Sequence, residues 1–270
     1  EELRTPLGKL VEVNGHQMSI YVEGKGDKTI VFMSGGGTCS PILDFKSLYT
    51  RLSDDYKIVV VEKFGYGFSD VVDKERSIDS ILEDTRTALA KAGIEGPYVL
   101  CPHSMSGIEA LYWAQQYSEE VEAIIGLDMA VPKAYEDYKI NMPMLKISQF
   151  AARVGITRIL PEVAESDAIR HGTLSDAEKE IYRAVFYEKT ATTTMLNEVE
   201  YIKENVEEQN RVEFWSIWHS EKVPSKNIHR INPQEVTIED LRFLDKYENS
   251  CIKFFPKNNK KRSKKECTEF

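Results

Sequence analysis

The stretch Tyr98-Val-Leu-Cys-Pro-His-Ser-Met-Ser-Gly107 decides how this 270-residue chain is read. An apolar run stops at Pro102, and a helical pattern carried by Ile108, Leu111 and Tyr112 starts almost at once. Only a tight turn fits between strand and helix, and Ser104 stands at its apex. Proline has no N–H to give a ladder, yet its fixed φ suits the end of a strand, where pairing stops. Ser106 is small and Gly107 smaller, so strand and helix can cross closely. A hydroxyl raised on such a turn, beside the unpaired amides that open a helix, is placed for attack on a carbonyl. The plainer reading is a polar helix cap, and the neighbouring segments must decide.

Outward from the turn, strand and helix patterns alternate. Lys9 to Val13 and Gln17 to Val22 flank Asn14-Gly15, a strong hairpin signal. Thr29 to Met33 is an apolar run ending in Ser34-Gly35-Gly36-Gly37. Asp44 to Leu52 reads as a short helix, and Tyr56 to Glu62 as a β-branched strand of the kind buried in parallel sheets. The spacing predicts a helix over Ile78 to Ala92 stopped by Gly93, a helix from the serine turn to about Tyr117, and a strand over Val121 to Leu127. This order implies an α/β fold with a mostly parallel sheet and helices on both faces. Sites in such sheets form at the carboxyl ends of strands, and Ser34 to Gly37, Ser104 and Asp128 all fall there.

The turn resembles the nucleophile elbow of the α/β-hydrolase family, G-x-S-x-G, with Pro102 and Ser106 in the glycine places. The resemblance implies Ser104 as catalytic nucleophile and the Met105 amide as first oxyanion donor. Ser34-Gly35-Gly36 resembles the family's oxyanion loop, with serine where histidine is usual, which implies Gly36 as second donor; a glycine turn without duty is the alternative. Glu62 to Asp70 is similar to the family's turn D-x-x-G-x-G-x-S, with no catalytic role assigned. Asp128 is the candidate orienting acid, set against a turn-capping role. Serine in the elbow, rather than aspartate, argues against dehalogenase and epoxide-hydrolase chemistry. The expected activity is hydrolysis of a small ester, amide or short peptide through an acyl-enzyme. No metal and no organic cofactor is implied.

From about Pro132 the pattern is helical. Ser175-Asp-Ala-Glu178 is a capping box, and Met195, Leu196, Val199, Ile202 and Val206 stripe one helix face. Placed after a strand of the sheet, residues 133–219 resemble the family's helical cap, with 1–132 and 220–256 as the hydrolase core. Beyond Val223 the resemblance weakens. Cys251 to Phe255 reads as a last strand, and 257–270 as a basic, disordered tail. A shifted reading frame would produce the same loss of pattern. The family's base is a late histidine, but none follows His229. His219 and His229 flank the point where the sheet resumes, His16 and His171 read as surface residues, and His103 as structural. The missing base motivates the other reading, a non-catalytic binding protein on the same fold.

The net charge of −9 disfavours a nucleic-acid partner. Cys39, Cys101, Cys251 and Cys267 are scattered without metal-ligand spacing. No stretch is apolar enough to cross a bilayer and no signal peptide is read, though the chain begins at Glu1. The expectation is a chain soluble as given, from a cytoplasmic or membrane-tethered parent.

Overall fold

A computed structural model describes residues 5–135, 138–211, 214–216 and 254–256. Six strands form the main sheet: β1 (Lys9–Val13), β2 (His16–Glu23), β3 (Thr29–Met33), β4 (Lys57–Glu62), β5 (Tyr98–Pro102) and β6 (Val121–Ile124), in the order β1-β2-β4-β3-β5-β6. β1 and β2 form the hairpin expected at Asn14-Gly15, both residues having the positive φ that a tight hairpin turn requires. β2 meets β4 antiparallel, whereas β4, β3, β5 and β6 run parallel.

Alternation along the strands divides the core into two layers. Val31, Val59, Val61 and Leu100 face a cluster that includes Ile78, Leu82, Ile108 and Trp113. These come from α3 (Ile78–Ala92) and α4 (Ser106–Gln116). Phe32, Ile58, Val60 and Cys101 face the other way, onto Ile42, Phe45 and Leu48 around α1 (Pro41–Asp44) and α2 (Lys46–Tyr49). Side chains of period two thus bury both faces of each central strand, as a parallel sheet demands.

Two boundaries differ from the sequence reading. The helix expected over Asp44 to Leu52 is two short helices that begin at Pro41, whose fixed φ suits a first turn. The strand expected over Val121 to Leu127 ends at Ile124, with a register shift opposite Tyr98/Val99, and resumes as one bridge between His103 and Leu127.

After β6 the chain is helical: α5 (Met142–Arg153), α6 (Asp167–Arg170), α7 (Asp176–Lys189) and α8 (Thr193–Arg211). The capping box of Ser175 and Glu178 opens α7. α8 packs directly on the core. Its Thr194 exchanges hydrogen bonds with Val72, and Asn205 accepts from the Ile78 N–H and donates to the Arg76 carbonyl.

Two further short strands, β7 (Phe214–Ser216) and β8 (Phe254–Pro256), pair antiparallel in a sheet of their own. Of the strand expected over Cys251 to Phe255, residues 251–253 lie outside the described residues, and the described part joins β7 rather than the main sheet. His219, His229 and the tail 257–270 lie outside the described residues.

Candidate functional site

β5 ends at Pro102, whose carbonyl accepts from the Leu127 N–H at 2.8 Å. Two residues on, Ser104 has φ +50. That left-handed backbone is costly for an L-residue with a Cβ and is kept only where surrounding contacts over-determine it. Those contacts are present. The Ser104 carbonyl accepts from the N–H groups of Gly107 at 3.0 Å and Ala130 at 2.8 Å. Ser106, in a glycine place, is fully buried, and its hydroxyl is 2.8 Å from the Met33 carbonyl and accepts from the His103 N–H at 3.0 Å. It ties the turn to the end of β3, which a glycine could not do.

Gly107 is required by close approach: a Cβ there would lie 2.1 Å from the Ala130 carbonyl oxygen. Gly35 is required in the same way, since a Cβ would stand 2.9 Å from Cβ of Ser104. The loop after β3 therefore lies against the serine turn, and Gly36 lies against the Met105 side chain. Among the described residues the Ser104 hydroxyl and the Met105 N–H have no hydrogen-bond partner. A free hydroxyl thus stands beside a free amide at the positive end of an eleven-residue helix.

Asp128 follows the His103–Leu127 bridge, is exposed, and also has positive φ, which aspartate tolerates better than most residues. Its charge acts on His103. Burial pushes the His103 pKa below its ordinary value, and the nearby Asp128 carboxylate opposes that fall. The His103 ring packs edge-on to Phe45 at 6.2 Å. It also lines a cavity of about 340 Å³ with Gly36, Gly37, Asp44, Tyr182 and Phe186, between the β3 loop and α6–α7. Tyr182 donates to Asp44 at 2.9 Å, and burial pushes the Asp44 carboxyl up to about 7. His16 opens β2 near Asp70, and His171 ends α6. His103 is thus the one described histidine at the turn.

The sequence reading missed a buried ionic cluster beneath the site. Lys63, at the end of β4, donates to Glu109 of α4 at 2.6 Å and to Glu198 of α8 at 3.2 Å. Tyr66 donates to Glu198 at 2.7 Å, and burial holds its pKa well above the ordinary value. Arg76 pairs with Asp84 at 2.7 Å. Burial works against the Lys63 charge, but Glu109 and Glu198 outweigh it and hold its pKa above the ordinary value. Burial also pushes the Glu109 carboxyl up against the pull of Lys63. The cluster links the end of β4, the elbow helix and α8. A lysine directly after a buried strand was the one local signal, and nothing near it in sequence names its partners. Glu62, in the acidic place of its turn, accepts from the Phe68 N–H at 2.9 Å and so ties that turn together. Among the described residues no group of His, Cys, Asp and Glu could hold a metal ion. Cys39 and Cys101 are buried free thiols, both pushed up by burial, Cys39 to about 12.

A parallel sheet entered by an antiparallel hairpin, with a strained serine between its fifth strand and the following helix, defines the class: the chain has the α/β-hydrolase fold. Solved structures agree on that fold. Cfl2 from Burkholderia cenocepacia superposes with a TM-score of 0.61 at 18% identity, over 75% of this chain and 73% of that one. The epoxide hydrolase VrEH1 from Vigna radiata gives 0.58 at 18% identity, over 75% and 74%. In sequence, the chain is 43% identical over 196 residues to the uncharacterized protein YbdG of Bacillus subtilis, a match covering 71% of this chain and 60% of YbdG. No family model matches.

Proposed function

We propose that this chain is a serine hydrolase that cleaves a small ester, amide or short peptide through an acyl-enzyme on Ser104. The observation that carries the reading is the Ser104 backbone, held at φ +50 with a free hydroxyl beside the free Met105 amide. In the proposed step a base takes the Ser104 proton and Oγ bonds to the substrate carbonyl carbon. The N–H groups of Met105 and Gly36 hold the oxyanion. The carbonyl then reforms, the bond to the leaving alkoxide or amine breaks, and that group leaves with the proton. Water releases the acyl group by the same route. Asp128 serves as the orienting acid, and its carboxylate also acts on His103, whose imidazole makes no hydrogen bond to the Ser104 hydroxyl. Residues 133–219 act as the cap, and the cavity beside His103 takes one part of the substrate.

VrEH1 is named an epoxide hydrolase, but at 18% identity it supports the fold and not that chemistry. The serine in the elbow favours acyl transfer. A second reading, a binding protein on the hydrolase fold, is favoured by the unpartnered Ser104 hydroxyl, which no described imidazole meets. The test is labelling by a fluorophosphonate together with p-nitrophenyl acetate hydrolysis. Labelling and turnover that vanish in Ser104→Ala support the enzyme, and their absence from the unaltered chain favours the binding protein.

A further inference from the structure

One surface is unlike the rest of this acidic chain. Residues 138–161 hold four cations, Lys139, Lys146, Arg153 and Arg158, and no Asp or Glu, although the whole chain has a net charge of −9. Among the described residues none of the four pairs with a carboxylate, and Arg153 donates to the Thr193 hydroxyl at 2.7 Å. The same segment exposes its large apolar side chains. Met144, Ile147 and Phe150 of α5 and Val154 at its C-cap recur at spacings of three and four, and Ile147 and Phe150 are 62% and 65% exposed. The patch continues beyond the helix through Ile159, 77% exposed, and Leu160.

The arrangement around α5 is ordered. At about 100° per residue the exposed apolar positions form one stripe, Lys146 and Arg153 stand along one edge of it, and Leu145, Gln149 and Ala152 lie on the inner side. That inner side is docked, since the Gln149 amide donates to the Ala191 carbonyl at 2.9 Å and Ala152 is buried. The exposed stripe is therefore not the face that holds the helix to the protein. Apolar side chains that face outward beside long cationic ones, able to reach past them, match the requirements of a membrane interface.

We infer that this face docks on an anionic lipid surface, with the apolar stripe entering the acyl boundary and the four cations meeting lipid phosphates. Charge decides among occupants. A second copy packed face to face would bring the same cations together. The chain's own tail after Pro256 is also basic, with Lys257, Lys260, Lys261, Arg262, Lys264 and Lys265. An anionic bilayer complements both the stripe and its rim. The inference concerns lying on a membrane, since no helix of the described residues is long and apolar enough to cross one. It does not depend on the proposed hydrolase activity.

The full chain would be sedimented with vesicles of phosphatidylcholine alone and of phosphatidylcholine with phosphatidylglycerol. The expected result is binding to the anionic vesicles that weakens as salt rises and is slight on the neutral ones. Lys146→Glu with Arg153→Glu should lower partitioning about tenfold or more, given the attraction of each cation to such a surface. Ile147→Asp with Phe150→Asp should abolish it while circular dichroism and melting remain those of the parent chain. Should that variant unfold, Ile159→Cys, in a chain with Cys251→Ser and Cys267→Ser, would carry an environment-sensitive dye whose emission shifts to the blue on anionic vesicles only. No binding to anionic vesicles, equal binding to neutral ones, or self-association of the chain that the aspartate variants abolish would each overturn the inference.

Discussion

Replacing Lys63 by methionine tests whether the buried ionic cluster holds the elbow helix to α8. The Lys63 side chain is 4% exposed, and its ammonium is the group within hydrogen-bond reach of both Glu109, at 2.6 Å, and Glu198, at 3.2 Å. Methionine fills much of the same volume but leaves two buried carboxylates without their shared cation. Tyr66 still donates to Glu198, whereas Arg76 Nε, 3.9 Å from Glu198 Oε1, is too far for a hydrogen bond. Removing one partner of a buried ion pair costs roughly 3–5 kcal/mol. For a chain of this size that is a fall in melting temperature of about 10 °C.

The dependence on pH has a definite sign. Burial already raises the folded pKa of Glu109, and loss of Lys63 removes the charge and hydrogen bond that chiefly pull it down, leaving only the weaker pull of Arg76. A carboxyl whose folded pKa lies above its unfolded one favours the folded state fully below the unfolded value. It loses that contribution as pH rises through the folded value. The deficit of the variant against the parent chain should therefore be small near the ordinary glutamate pKa of 4.5 and widen toward neutral pH. Urea unfolding at matched pH values measures it. The double variant with Glu109→Gln should recover part of the loss, because Lys63 and Glu109 are in contact and their effects do not add. A deficit under about 1 kcal/mol at neutral pH, a deficit independent of pH, or strict additivity would refute the reasoning, because a buried pair must show all three effects.

Two other outcomes follow from the geometry. Ser104→Gly removes a side chain from a left-handed backbone at φ +50, and the variant should be more stable by about 1 kcal/mol while losing fluorophosphonate labelling; a lower melting temperature would contradict the strain. Burial raises the Glu62 carboxyl to about 7 from its ordinary 4.5, so its contribution to stability is complete below about 4.5 and is lost as pH rises through about 7. Glu62→Gln, which can still accept from the Phe68 N–H, should flatten the stability profile in that window. Urea midpoints that track the parent chain across it would sink the idea.

Strand and helix periodicity is local, and so the alternation of β3, β4, α3, β5 and α4 was legible from residue order. The placement of Ser34 to Gly37 and Ser104 at strand ends followed from that order alone. A need for closeness at Gly107 was legible, read as strand against helix, but its partner was not: a Cβ there would meet the Ala130 carbonyl of the connection after β6. The split of the helix at Phe45 was not, because it depends on how Phe45 packs against Phe32 and His103. Nor was the role of Ser106. A hydroxyl in a glycine place reads as a tolerated substitution until the Met33 carbonyl is seen beneath it.

The sequence by itself determined the α/β order, the hairpin at Asn14-Gly15, the capping box at Ser175 and the serine at the turn. Each is set by residues within a few positions of one another, where backbone preference and hydrophobic period act directly. Tertiary structure alone decided which charges meet and which apolar side chains face outward. Lys63 finds Glu109 and Glu198 from 46 and 135 positions away, and β7 takes β8 as its partner rather than the main sheet. The α5 stripe, read in sequence, could equally have faced the core. Burial and electrostatics at long range depend on the packed chain, and they placed the cluster beneath the serine turn and left the stripe of α5 exposed.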